Sequence, residues 1–104
     1  MRKGALEYCV LALLTSQPRY GFEIVQSLSQ IDGMLTSEGT MYPLLGRLRR
    51  DGLVDTEWQE SPAGPPRRYY KLTAEGRRTL RAFRDEWITF RVAVDAILRT
   101  GVPK

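Results

Sequence analysis

The sequence predicts a mostly helical α+β chain with one small β-hairpin and a long last helix. Three observations carry this expectation. Several segments place apolar residues three and four positions apart, the spacing of a helix with one buried stripe. Two short stretches, 53–58 and 67–72, flank a tip rich in proline and glycine, the pattern of a hairpin. The last quarter carries apolar residues at alternating steps of three and four over nearly three heptads.

The elements follow in order. Residues 4–15 predict a first helix, apolar on nearly all sides and therefore expected to be covered on more than one face. A chain of 104 residues has one modest core, so this helix is a first hint of a dimer. Pro18 breaks the pattern. A second helix is expected from Tyr20 to Asp32, with Ile24, Val25, Leu28 and Ile31 on one stripe and Gly33 placed to end it. Thr36 or Ser37 can cap the third helix. Its inner stripe is Met41, Leu44, Leu45 and Leu48, and its outer side carries Thr40, Pro43, Arg47 and Arg50. Pro43 should remove a hydrogen bond, and Gly46 should weaken the helix by about 1 kcal/mol relative to alanine. Close approach of another surface would explain both, and so would tight packing. Gly52 stops the helix.

Leu53–Trp58 reads as a strand, and Glu60–Pro66 as a turn too rich in proline and glycine for regular structure. Arg67–Leu72 reads as the second strand, with Tyr70 and Leu72 on one face and Arg67, Tyr69 and Lys71 on the other. Thr73 caps the last helix, 74–99, and Glu75 suits its positive end. Leu80, Phe83, Trp87, Phe90, Val94 and Ile97 form its seam. This is more apolar surface than the rest of so small a chain can cover, so the seam is expected to pair with a second copy.

Composition bounds the chemistry. The chain has 16 Lys and Arg against 12 Asp and Glu, a mild net charge of +4 that favours polyanions. It has no histidine, which removes the usual general base and the commonest metal ligand. Neither a metal-ligand cluster nor a glycine-rich phosphate loop occurs, so no enzyme, metal or cofactor is expected. The single cysteine, Cys9, excludes an intrachain disulfide and reads as a small core residue. Arg2 and Lys3 ahead of an apolar run loosely mimic a signal peptide. Glu7 interrupts that run, no small-residue cleavage site follows, and the run is too short to span a bilayer. The expectation is a cytoplasmic protein away from the membrane.

Two helices, a basic helix and an arginine-bearing hairpin, followed by a long seam helix, describe a winged helix-turn-helix (residues 1–73) with a C-terminal dimerisation helix (74–104). An amphipathic helix with a cationic outer face suits the major groove of double-stranded DNA. A two-fold homodimer would present two such helices to an inverted repeat, with half-sites about 10 base pairs apart.

The sequence resembles the PadR family of bacterial transcriptional regulators in its short form with one C-terminal helix. The matching stretches are Leu13-Leu14 to Pro18, Tyr20-Gly21-Phe22-Glu23-Ile24, Gly39-Thr40-Met41-Tyr42-Pro43-Leu44-Leu45 with Arg47-Leu48, Gly52-Leu53-Val54, and Arg68-Tyr69-Tyr70-Lys71-Leu72-Thr73 with Gly76. The resemblance implies a homodimeric repressor that leaves DNA when a small molecule binds. Two departures stand out. Pro65 follows Gly64 where the family's wing often has arginine, and Arg49 makes the third helix more basic than usual.

Thr40, Tyr42 and Pro43 lie in the first turns of the reading helix, the part that reaches base edges, though packing against the second helix is an equal use for Tyr42. Arg47 and Arg50, further along, are expected to hold phosphates. The resemblance adds Tyr20 and Ser37 as phosphate contacts. Arg67 and Arg68 on the wing are expected at the minor groove or its backbone. Trp87 is mid-seam; two copies of it across a two-fold axis would sandwich a flat aromatic or cationic effector if a gap separates them, and with no gap Trp87 is simply buried in the seam. Tyr8 and Phe90 would line the same space, with Asp85, Glu86 and Asp95 near in sequence. Drug-sensing members of the family bind ligands between subunits in this general region. The rival reading is a winged helix that binds a protein partner.

Overall fold

The computed structural model describes residues 2–31 and 37–101. The elements are α1 (Arg2–Leu13), β1 (Arg19–Tyr20), α2 (Gly21–Ser29), α3 (Glu38–Arg50), β2 (Val54–Ser61), β3 (Gly64–Leu72) and α4 (Ala74–Thr100). The strands form one antiparallel sheet in the order β1-β3-β2. The architecture is a winged helix with a long C-terminal helix.

Apolar spacing sets the core. Met41, Leu44, Leu45 and Leu48 of α3 are all buried, as are Ile24 and Leu28 of α2. They meet Val10, Leu11 and Leu14 of the first helical segment, Val54 and Tyr70 of the sheet, and Leu80 of α4. Fully burying one such side chain contributes about 2–3 kcal/mol. The cluster therefore fixes the angle at which α3 is presented. Val25 is only half-buried and Ile31 is half-exposed, so the α2 stripe narrows toward its end.

Caps define the ends of α3. The Ser37 hydroxyl accepts from the Thr40 N–H at 3.3 Å, which decides between the two cap candidates. At the other end Gly52 adopts φ 78°, a left-handed conformation that glycine enters without penalty. It lets the Gly52 N–H reach Arg49 and the Leu53 N–H reach Leu48, the paired bonds that close a helix C-terminus. The chain then turns straight into β2.

Four boundaries differ from the sequence expectation. Tyr20 does not begin α2; it pairs with Tyr69 in β1, and its N–H donates to the Glu23 carboxylate at 3.1 Å. A two-residue strand shows no periodicity and so leaves no signal. Segment α1 spans Arg2–Leu13, ending in i→i+3 bonds from Leu14 and Thr15. Segment α2 stops at Ser29, with Gln30 as its cap, and the proposed stop at Gly33 and cap at Thr36 lie outside the described residues. The hairpin is longer than expected. Ser61 pairs with Gly64 around a two-residue tip, and the register slips between Gln59 and Ser61. Pro65 and Pro66 of β3 lie opposite the single residue Glu60 of β2 and form the bulge, so the missing proline N–H groups fall where the ladder is already interrupted.

The root of α4 is locked to the rest. The Thr73 hydroxyl accepts from the Gly76 N–H at 2.9 Å and donates to the Gly52 and Leu53 carbonyls at 2.7 and 3.0 Å. Gly76 and Leu80 are buried. Beyond them the helix leaves the core: Ile88, Phe90 and Ile97 are close to half-exposed, and Leu98 is 79% exposed.

Candidate nucleic-acid interface

The face of α3 directly opposite its buried stripe is Gly39, Pro43, Gly46 and Arg50, by the geometry of 3.6 residues per turn. Thr40 and Arg47 fall on one flank, Tyr42 and Arg49 on the other. All except Gly46, which is partly covered, are exposed. A Cβ added at Gly46 would meet nothing within 4 Å, and one at Gly39 would touch only the Ser37 hydroxyl at 3.7 Å. Tight packing within the chain therefore does not account for Gly46. The outer face is smooth along its middle and cationic at its end.

Tyr42 leans off this face toward α2. A Cβ at Gly21 would stand 2.6 Å from the Tyr42 ring, so the ring rests on the start of α2 while remaining 47% exposed. Partial burial, with the Glu38 and Tyr70 charges adding, pushes the Tyr42 hydroxyl pKa up. It remains a neutral donor near pH 7. Thr40 and Ser37 hold one another at 3.4 Å between hydroxyls, both exposed at the helix start.

Arg47 is not a free cation. Its guanidinium donates to the Glu7 carboxylate of α1 and forms an ion pair with it. Glu7 stands forty positions away, and no local pattern in the sequence announces the pairing. Among the described residues Arg49 and Arg50 have no such carboxylate partner.

The wing holds its arginines on aromatic rings. Arg67 lies over Tyr20 at 4.5 Å, and Tyr20 meets Tyr69 edge-on at 5.4 Å. On the opposite face Arg68 lies over Trp58 at 5.0 Å. The pairing of Trp58 with Arg68 across the ladder makes this contact. Strand alternation alone left Trp58 unassigned, because its partner depends on register. The Arg68 Nε is buried and has no hydrogen-bond partner among the described residues. Trp58 is 64% exposed. Tyr20, Arg67 and Tyr69 thus make one patch at the edge of the sheet, and Arg68 with Trp58 another.

The seam residues form an aromatic run. Tyr8 stacks on Phe83 at 3.8 Å, Phe83 on Trp87 at 5.8 Å, and Trp87 meets Phe90 at 6.1 Å. Tyr8 and Phe83 touch, leaving no gap between them within one chain. A cavity of about 100 Å³ opens at the root of α4 beside Thr15, lined by Thr15, Arg77, Leu80, Arg81 and Arg84. Neither Trp87 nor Phe90 lines it, and its walls are cationic. Cys9 is half-buried, and burial pushes its thiol pKa up. Among the described residues no group of three or more potential metal ligands occurs, and no helix is long and apolar enough to cross a membrane.

Comparison with known proteins adds a family. The model of the transcriptional regulator PadR-like family matches residues 10–82. A PadR-like transcription factor from Bacteroides fragilis is similar in structure, with TM-score 0.79 and 45% identity over 93% of both chains. A PadR-like transcriptional regulator from Bacillus cereus superposes with TM-score 0.86 at 34% identity, covering 94% of this chain and 95% of its own. The transcriptional regulator Rv3488 of Mycobacterium tuberculosis is 35% identical over 79 residues, 76% of this chain and 72% of that protein. The matched stretch runs from α1 through α3 and the hairpin into α4, and on that basis the chain belongs to the PadR-like family of transcriptional regulators.

Proposed function

We propose that this regulator is a cytoplasmic homodimeric repressor whose α3 enters the major groove of an inverted-repeat operator. The smooth outer face of α3 carries the proposal. Gly39 and Gly46 give a partner's surface close access to the backbone, and Gly46 serves no packing need inside the chain. Thr40, Tyr42 and Pro43 stand at the leading end, where base edges are reached. Arg50 and Arg47 supply phosphate contacts, with Ser37 and Tyr20 beside them. Arg67 and Arg68 extend the cationic surface along the wing. Residues 1–73 form the reading unit, and 74–104 the dimerisation helix. Release by a flat aromatic or cationic effector near Tyr8, Trp87 and Phe90 belongs to the same proposal and is supported by their aromatic run.

The test is fluorescence anisotropy with DNA from upstream of this gene and with scrambled DNA, at two salt concentrations. The upstream DNA should bind more tightly, and affinity should fall steeply with salt because phosphate contacts release counterions. Arg50→Ala should weaken binding about tenfold and flatten the salt slope by about one ion. Equal binding of both DNAs would sink the operator reading. The exposed Trp58 favours a second reading, a protein-binding winged helix. An apolar protein contact would show little salt dependence.

Gly46→Ala separates stability from function. The added methyl meets open space and replaces the poorest ordinary helix former, so the variant should gain about 1 kcal/mol in urea unfolding. It should also bind operator DNA more weakly, because the methyl stands where the groove approaches. A variant that is more stable and binds as well as the parent would remove Gly46 from the interface.

A further inference from the structure

Two ion pairs occur among the described residues. One, Arg78–Glu75, lies within a single turn of α4 and is exposed at both ends. The other joins Arg47 of the reading helix to Glu7 of α1. Its side chains are 45% and 25% exposed, so the pair can open without unfolding anything around it. Glu7 cancels the charge of one of the three arginines in the last turn of α3.

A DNA phosphate approaching this flank competes with Glu7 for the same N–H groups. If Arg47 turns to the phosphate, the Glu7 carboxylate loses its partner and stands near a second anion. Both effects oppose binding. We propose that Glu7 is an internal competitor for Arg47 and thereby sets the DNA affinity and salt sensitivity of the reading helix. The next residue, Tyr8, stacks on Phe83 of α4, so α1 joins the seam to the reading helix through two neighbouring side chains. This inference rests on the reading of α3 as the DNA-contacting helix.

The experiment is a double-mutant cycle in the full chain with upstream DNA, using Glu7→Gln, Arg47→Ala and the pair. Glu7→Gln keeps size and hydrogen-bonding capacity but removes the charge. It should tighten DNA binding by about threefold to tenfold and steepen the salt slope by about one ion. Arg47→Ala should weaken binding less in the parent, where Glu7 already holds the guanidinium, than in the Glu7→Gln background, where it should also abolish the gain. Thermal unfolding of each variant reports that the fold is retained. Unchanged or weaker binding by a folded Glu7→Gln variant, with Arg47→Ala costing the same in both backgrounds, overturns the proposal. Arg50→Ala distinguishes the levels. If it weakens binding and Glu7→Gln does not tighten it, Glu7 alone is misassigned. If it has no effect, the reading of α3 fails and this inference fails with it.

Discussion

Gly76→Ala is expected to cost about 3 kcal/mol and to bring the chain close to unfolding at physiological temperature. The new Cβ would stand 2.2 Å from the Leu53 carbonyl oxygen and 2.7 Å from the Leu72 Cδ1. A Cβ has no rotamer to escape by, so the α4 backbone must move away from the start of β2. The same Leu53 carbonyl accepts from both the Thr73 N–H and the Thr73 hydroxyl. Moving α4 therefore also loosens the cap that ties the helix to the end of α3. Urea unfolding followed by circular dichroism reads the effect, with Gly46→Ala as a glycine replacement of opposite sign. A Gly76→Ala variant with parental stability would show that α4 is not seated on Leu53.

The contrast between these two glycines shows where sequence reasoning stops. Both lie inside expected helices, where glycine costs about 1 kcal/mol relative to alanine, and propensity alone does not tell them apart. Only the fold shows that a methyl at Gly76 meets backbone and one at Gly46 meets nothing. What was legible depended on local periodicity: the four buried positions of α3 and the alternation of β3 follow from spacing alone. What was hidden depended on distant pairing. The Glu7–Arg47 contact, the perch of Arg67 on Tyr20 and the meeting of Trp58 with Arg68 each need two segments brought together. The full length of the hairpin is not legible because Pro65 and Pro66 argue against a strand until they are known to form its bulge, opposite Glu60. Thus α3 was visible as an amphipathic pattern with a basic outer face, while the electrostatic state of its arginines was not.

The same distinction decides how to test the dimer. The heptad seam alone points to charged replacements at Leu80 and Val94. Leu80, however, is 5% exposed and belongs to the core of the single chain, so a charge there would unfold it whether or not a dimer forms. Phe90 and Ile97 lie on the same seam and are 46% and 45% exposed. The described residues leave them half uncovered, and the proposed dimer would supply a reason for their apolar character. Phe90→Glu with Ile97→Glu should therefore leave the winged domain folded and convert the dimer to monomer. By the two-fold symmetry each change acts twice, and burying the new charges adds to the lost apolar contact. The dissociation constant should rise by about a thousandfold, on the order of 4 kcal/mol. Sedimentation velocity reads the change directly, and retained ellipticity excludes unfolding. The monomer should also lose cooperative binding to an inverted repeat while keeping weak, salt-sensitive binding to a half-site. A double variant that sediments as the parent does would mean that the exposed half of α4 does not hold the subunits together.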